Sequence, residues 1–588
     1  MTFSELAQYL EKLEQTSSRL ALIDILSELF SQVSFDEIGH VSYLIQGRVA
    51  PFFEPLEIGM SEKLVAASIA RVYGIDKENV LKEYGKVGDL GLVAQKLNEQ
   101  TSKRAKEKLT VNEVFETLRS IAKMSGEGTV EKKVSTLAEL LKKVGAVGAK
   151  HLVRIPLGVS RLGVGDPTIL DAFAKLKLGD KNLSLRSRTL TSDQRSEHKS
   201  KRKLLEGAYN RTSDLGLIGE TLWSKGLAGV EKLAVTVGRP IRSQLAERLP
   251  TPEKVIEKLG EVNVQRKLDG FRVQIHKEGD SVRLFSRNLE ETTPMFPEIA
   301  EGVRKQIKAK SVILDCEAIG FNPISDEFLP FQETTQRRRK YGIDEMAKKI
   351  PLKAFCFDVL YKDGKSLIDS ELKERLKILE KTVEQGTVLM VEEGETVKDT
   401  KKLQDMLDDA ISKGLEGLVV KRLDSKYEAG ARNFNWVKLK RHSNGELKDT
   451  IDCVILGYAF GKGKRAEFGA GALLVGVYDQ DKDMFVTVSK IGTGLTDEEW
   501  RSIEVQSAKF KVQNKPARIE SKIIPSVWVE PKIVIEVLAD EITKSPLHTA
   551  GLALRFPRLV KFREEDKKPE DATTLKELEE MYGLQFKK

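Results

Sequence analysis

Val262 and Val264 alternate with polar neighbours, and after a short break Val273 and Ile275 do the same. A two-residue period marks a strand with one face in a core. Lys277-Glu278-Gly279-Asp280 then supplies a turn, and Val282, Leu284 and Phe285 resume the apolar run. The spacing predicts strand, break, strand, hairpin turn, strand, which commits this part of the chain to a sheet. The break is Lys267-Leu268-Asp269-Gly270-Phe271-Arg272, which places a lysine, an acid, a glycine and an arginine within six residues. A lysine where one strand gives way to a hairpin is well placed to face a cleft. Its amine attacks only when neutral, and its ordinary pKa is about 10.4. Neighbouring cations or desolvation must lower that value, and Arg272 and a bound metal are the candidates for doing so.

Further patterns follow in order. Ser286-Arg287-Asn288 closes the hairpin, and Asp315-Cys316-Glu317 follows the apolar run Val312-Ile313-Leu314. Then come Phe355-Cys356-Phe357-Asp358, Glu416-Gly417-Leu418-Val419-Val420-Lys421 and Trp436-Val437-Lys438-Leu439-Lys440. In this order the set resembles the nucleotidyltransferase motifs of ATP-dependent DNA ligases. Arg555-Phe556-Pro557-Arg558 and Tyr209-Asn210-Arg211-Thr212-Ser213-Asp214-Leu215 resemble the archaeal branch.

The resemblance implies the following roles. Lys267 attacks the α-phosphate of ATP, and Asp269 helps to hold it and to engage metal or water. Gln265 meets the adenine edge and Phe357 stacks on the base. Arg272 and Arg287 contact phosphate or ribose, as fork-shaped donors can. Glu317 contacts the ribose hydroxyls and, with Glu416, the metal, Mg2+ with Mn2+ as a substitute. Arg432, Lys438 and Lys440 surround the phosphates with Lys421 close by, and Arg555 and Arg558 reach the β,γ-phosphates. Blander readings stand beside these: Asp269 as a turn former, Gln265 facing solvent, Phe357 as core, the two C-terminal arginines paired with local carboxylates. Strand alternation puts Lys438 and Lys440 on one side, and Phe355 on the face of Phe357.

A chain of 588 residues predicts three or four domains. A formal net charge of +8 suits an acidic partner without identifying it. Three widely spaced cysteines, Cys316, Cys356 and Cys453, argue for a reducing, cytosolic interior and against a structural zinc site. That also argues against the NAD-dependent bacterial ligases, which carry a four-cysteine module. The start of the chain has neither the basic region nor the apolar core of a signal peptide, and no membrane span is expected.

Residues 1–235 are expected to be an all-α DNA-binding domain. Leu6, Leu10 and Leu13, then Leu22, Ile23, Leu26, Leu29 and Phe30, recur at helical spacing, with Ser17 or Ser18 as a cap. Arg154 to Gly165 mixes arginines with glycines, and Lys175 to Lys203 carries a basic excess of seven. Both suit DNA phosphates, although such a run also suits a solvated loop. Gly238 and Pro240 break the helical pattern. Residues 236–443 are expected to be an α+β adenylation domain with antiparallel sheets, including helices near Glu371–Thr382 and Lys401–Lys413. Residues 444–588 read as short strands with glycine-rich connections such as Gly469-Ala470-Gly471, for which the resemblance specifies an OB-fold, ending in a short helix near Thr574–Tyr582. Gly461-Lys462-Gly463-Lys464-Arg465 is either a DNA-tracking hairpin or an ordinary exposed one.

The expected function is sealing of 5′-phosphate/3′-hydroxyl nicks in duplex DNA, in replication, repair and recombination, by a monomer. A sliding-clamp partner is expected by resemblance, yet Gln100-Thr101-Ser102-Lys103-Arg104 lacks the aromatic pair of a clamp-binding peptide. An RNA ligase or capping guanylyltransferase shares the lysine chemistry, but the helical front and Trp436-Val437-Lys438 oppose it. A non-enzymatic DNA-binding protein with a decayed site is the other alternative, and no motif residue is missing.

Overall fold

The computed structural model describes residues 1–101, 108–176, 192–322, 328–329, 331–339, 341–412, 415–440, 450–460, 470–492, 495, 500, 503, 510–563 and 567–585. Much of the basic run after Lys175, the Ser102-Lys103-Arg104 segment and Gly461 to Gly469 lie outside them. The chain forms two compact units, Met1–Arg441 and His442–Lys588. None of the described helices is long and apolar enough to cross a membrane.

The first unit begins with helices running from Phe3–Glu14 to Leu215–Glu231. The leucine spacing is realised as expected, with Leu6, Leu10 and Leu13 buried on Phe3–Glu14 and Leu22, Ile23, Leu26, Leu29 and Phe30 on Arg19–Ser31. Thr2 and Glu5 form a reciprocal capping box on the first helix. Ser18 occupies the N-cap of the second but makes no capping bond with its side chain. Its own N–H instead closes a turn on the Thr16 hydroxyl at 3.2 Å. Within this region Lys150 Nζ sits 2.7 Å from Glu11 and 2.8 Å from Glu14, and Arg154 joins Glu14 to Asp89. Such buried pairs gain little over an apolar core, but deleting one partner costs about 3–5 kcal/mol. Arg154, expected to be available to phosphate, is thus 2% exposed and committed to this network.

Two sheets follow. In the first, β1 (Leu245–Arg248), β11 (Arg432–Lys440), β10 (Gly417–Arg422), β2 (Val262–Arg266) and β9 (Gly394–Val397) lie in that order. In the second, β4 (Ser281–Ser286), β3 (Phe271–Glu278), β5 (Ser311–Gly320), β6 (Leu352–Lys362) and β7 (Lys365–Ser366) are neighbours, with β8 (Leu389–Val391) also on β6. One apolar face of each sheet follows the two-residue period, giving separate cores around Val264 and Val420 and around Val273 and Leu314. The sheets are mixed rather than purely antiparallel. β1 runs parallel to β11 and β8 parallel to β6, because strands joined through long connections need not reverse direction as a hairpin must. The helices near 371 and 401 appear as Leu372–Thr382 and Thr400–Ser412.

The segment linking helices to sheets is pinned from β3. Gln274 accepts the Ile241 N–H at 2.7 Å and donates to the Ile241 carbonyl at 3.1 Å. His276 Nδ1 accepts the Gly238 N–H at 2.9 Å, and its Nε2 lies 2.9 Å from Gln274 Oε1. This fixes the neutral tautomer with the proton on Nε2.

The second unit is β-rich. β12 (Ile451–Phe460) pairs antiparallel with β13 (Ala470–Asp479), and β13 with β14 (Met484–Ile491). The strand Val534–Leu538 pairs with β12 and with the strand Arg558–Phe562, and a parallel edge pair joins β14 to residues 519–520. Helix Leu575–Leu584 closes the described chain, capped by Thr574 with Glu577.

Candidate active site

The loop Lys267–Gly270 carries the chain from the first sheet, at the end of β2, into the second, at the start of β3. Both ends are anchored by backbone. Lys267 N–H donates to the Gly417 carbonyl at 2.8 Å, and Gly270 N–H donates to Glu317 Oε1 at 3.2 Å. A Cβ on Gly270 would stand 2.2 Å from the Ala318 carbonyl oxygen, so the loop rests directly on β5. Gly417, at φ +136°, presses equally closely on Leu439 and Lys440. These contacts explain why glycines stand at both places.

The Lys267 ammonium pairs with Glu416, and Lys440 Nζ lies 2.9 Å from the same Glu416 oxygen. Burial alone would raise the Glu416 pKa, but the charges of Lys267 and Lys440 outweigh it and hold the carboxyl at about 2. Lys438 is depressed by burial first, and then by Arg432, Lys440, Lys267 and Arg248 around it. The register places Lys438 opposite Arg248 and Lys440 opposite Gly417. Five cations thus lie near one another here, two of them, Lys267 and Lys440, on the ionised Glu416 carboxylate. On the other side of the loop, loss of water pushes Glu317 up to about 7, against the lowering pull of Arg272 and Lys267.

Arg272 is held in place by the protein. It forks onto Asp315 at 2.9 and 2.6 Å and donates to the Gln244 carbonyl at 2.7 Å. Tyr427 donates to the same aspartate at 2.8 Å. The guanidinium lies 5.4 Å from the ring centres of both Phe357 and Trp436. Lys421 is 1% exposed, donates to the Phe357 carbonyl at 3.2 Å and lies 4.6 and 4.4 Å from the same two rings. Burial draws its pKa down to about 8, only partly opposed by Asp358 and Asp315.

Gln265 is buried rather than solvent-facing, its amide donating to the Glu392 carbonyl at 3.2 Å. Phe355 and Phe357 do not share one environment. The β5–β6 register jumps from Asp315↔Asp358 to Cys316↔Cys356, leaving Phe357 as an extra residue in a bulge. Phe355 packs with Leu268 and Ile319, and Phe357 with Tyr427 and Trp436. Asp269 is half-buried in the loop. Arg287 takes no part in the Lys267 cluster but lines a cavity elsewhere in the unit. In the second unit Arg555 pairs with Glu541 at 2.9 Å and Arg558 with Asp540 at 3.0 Å. Arg248, Asp315, Tyr427 and Gln244 escaped sequence reasoning as members of the site. Asp315 alone carried a signal, two residues before Glu317.

Glu317 and Glu416 offer hard oxygens on either side of Lys267, and two ammonium groups already occupy Glu416. The donor set therefore fits a divalent cation.

A half-buried loop lysine, paired with one carboxylate and close to further cations, joins the two sheets, an arrangement that suits a phosphoryl-linked group. Comparisons agree. Residues 2–174 match the model of the DNA ligase N terminus, 243–440 that of the ATP-dependent DNA ligase domain, and 466–567 that of its C-terminal region. A probable DNA ligase of Dictyoglomus turgidum is 47% identical, covering 100% of this chain and 98% of the relative. DNA ligase 2 of Thermofilum pendens is 41% identical over the same shares. A solved structure designated Pmar-Lig_PreS3 aligns at a TM-score of 0.51 and 16% identity, covering 95% of this chain and 99% of that one, a likeness of fold. The chain belongs to the ATP-dependent DNA ligases. It is a DNA-joining enzyme whose adenylyl donor is ATP.

Proposed function

We propose that Lys267 is the adenylyl carrier in a three-step sealing of nicked duplex DNA. Its Nζ, having given up a proton, forms a bond to the α-phosphorus of ATP as the bond to pyrophosphate breaks. The AMP then passes to the 5′-phosphate of the nick, and the 3′-hydroxyl displaces AMP. The observation that carries this reading is the Lys267 ammonium held by Glu416 amid Lys438, Lys440, Arg432 and Arg248. Those cations suit a triphosphate, and preorganised charge is the main resource of phosphoryl transfer.

Arg272, locked on Asp315, presents a fixed edge to ribose or phosphate, and Lys421 reaches the phosphates from its aromatic cage. Phe357 stacks on adenine and Gln265 reads the edge of the base. Glu317 and Glu416 would hold Mg2+, or Mn2+ in its place, which supplies charge neutralisation on the transferring phosphate. Arg555 and Arg558 serve pyrophosphate departure, and Arg287 serves a phosphate near the nick. The domains divide at 1–235, 236–443 and 444–588, the last an OB-fold. The enzyme acts as a cytoplasmic monomer, with a sliding clamp as a further partner.

Incubation with α-labelled ATP and Mg2+ tests this. Label should join the protein, leave on nicked DNA, and fail to appear when a chelator removes the metal. Labelling at a residue other than Lys267 would overturn the assignment.

A further inference from the structure

Within the first unit, a cavity of about 290 Å³ opens between the loop after helix Ile38–Ile45 and the turn after β4. Arg48, Phe52, Asp166, Arg242, Arg287 and Leu289 are among its walls. Its charges are unbalanced. Arg242 is spent on Asp166 at 2.8 Å, and Asp166 also accepts from Tyr209 and from Gln46 at 2.6 Å. That leaves the guanidinia of Arg48 and Arg287, for which no carboxylate lies within ion-pair distance among the described residues. Arg48 is half-buried, and burial lowers its pKa in spite of Glu57 and Asp166 nearby. A desolvated arginine without a paired anion is poised to receive one.

Both arginines are held in place. The Arg48 N–H bonds back to the Tyr43 carbonyl at 3.0 Å and ends the helix. Its guanidinium lies over the Phe52 ring at 4.1 Å. Arg287 sits in a tight turn in which the Leu289 N–H reaches the Ser286 carbonyl at 2.8 Å, with Leu289 at φ +67° and buried against Phe53. Ser286 pairs with Val273, so the turn stands at the end of the β3–β4 hairpin nearest the Lys267 loop.

We propose that this cavity is a phosphodiester site for the DNA strand beside the nick, in which Arg48 from the helical region and Arg287 from the catalytic hairpin grip one backbone phosphate. The inference rests on the DNA-joining activity and on the phosphate role of Arg287. Free pyrophosphate shares the chemistry, but the room exceeds one phosphate. Phe52 and Leu289 offer apolar walls suited to the flanking sugar rather than to a small inorganic anion. A phosphate held by both regions would register the helical grip on the duplex against the reacting loop.

The test compares wild type with Arg48→Ala and Arg48→Lys. Binding to a nicked duplex with a dideoxy 3′ end is followed by fluorescence anisotropy from about 0.05 to about 0.2 M KCl. Arg48→Ala should bind about tenfold more weakly, with a salt slope shallower by about one, and Arg48→Lys should recover most of the slope. Self-adenylylation, which uses no DNA, checks that the variant is folded; if it fails, Arg48→Gln carries the same comparison. Affinity and slope both unchanged would overturn the proposal. So would unchanged DNA binding together with weaker inhibition of self-adenylylation by pyrophosphate, which would assign the cavity to the free anion. In either case wild-type joining, measured on the same duplex with an ordinary 3′ end, judges the ligase reading separately.

Discussion

Lys440 Nζ lies 2.9 Å from the Glu416 oxygen that also pairs with Lys267. One carboxylate thus holds the nucleophile and a phosphate-side cation at a common point. Glu416→Gln keeps the shape and removes the charge, so both ammonium groups lose their anchor. Self-adenylylation should fall by about a hundredfold while nicked-DNA binding stays within twofold or so. An unchanged rate of labelling would show that Glu416 does not organise the site.

Lys267→Ala removes the only group proposed to carry AMP. Uptake of label from ATP and overall joining should both vanish. Duplex binding should persist, because the helical region is untouched. Mass spectrometry of the protein after ATP treatment reads the adduct directly.

Arg558 shares an exposed pair with Asp540 at 3.0 Å, an interaction worth at most about 1 kcal/mol. Its loss should therefore leave the fold of the second unit intact. Arg558→Ala should be slow with ATP and an ordinary nick, yet near wild type on DNA already carrying AMP at the nick. Asp540→Asn, which frees the arginine, should not reproduce the defect. Equal impairment of Arg558→Ala on both substrates would make it a structural or DNA-contacting residue instead.

His276 gives the acid limb of stability. Burial, then the nearby Arg283 charge, lowers its pKa to about 3, against about 6.5 in an unfolded chain. Its Nδ1 already accepts the Gly238 N–H, so a second ring proton would set donor against donor. Between these two values the unfolded chain binds a proton that the folded one refuses. Stability is thus lost as pH falls from about 6.5 toward 3, by up to about 1.4 kcal/mol per pH unit from this group. Scanning calorimetry at pH 7 and pH 5 should show a larger drop in Tm for wild type than for His276→Asn. Equal drops would mean that His276 titrates freely in the fold.

The hairpin, the nucleophile loop and the long strands of the second unit were legible because local periodicity determines them. The short strands expected across residues 444–588 include those starting at 451, 470, 484 and 534. What escaped depends on register across distant strands. The bulge at Phe357 is one residue of slippage against β5 and leaves no trace in the spacing of Phe355 and Phe357. The same register brings Cys316 and Cys356, forty residues apart, to a sulfur separation of 3.0 Å. Arg248 lies in a four-residue strand too short to show a pattern. Arg287 was legible as a functional arginine, but Arg48 and Phe52, beside it in the cavity, come from a loop more than two hundred residues earlier.

The four-residue span from Lys267 to Gly270 is hung between two sheets, from Gly417 on one side and Glu317 on the other. The reach of the nucleophile is therefore set by the aperture between those sheets as much as by its own rotamer. A displacement of about 1 Å at a reacting atom costs about a hundredfold in rate. A compound that wedges the sheets apart, bound well away from the nucleotide, would disarm the enzyme without competing with ATP. Raising the ATP concentration would not relieve such a block.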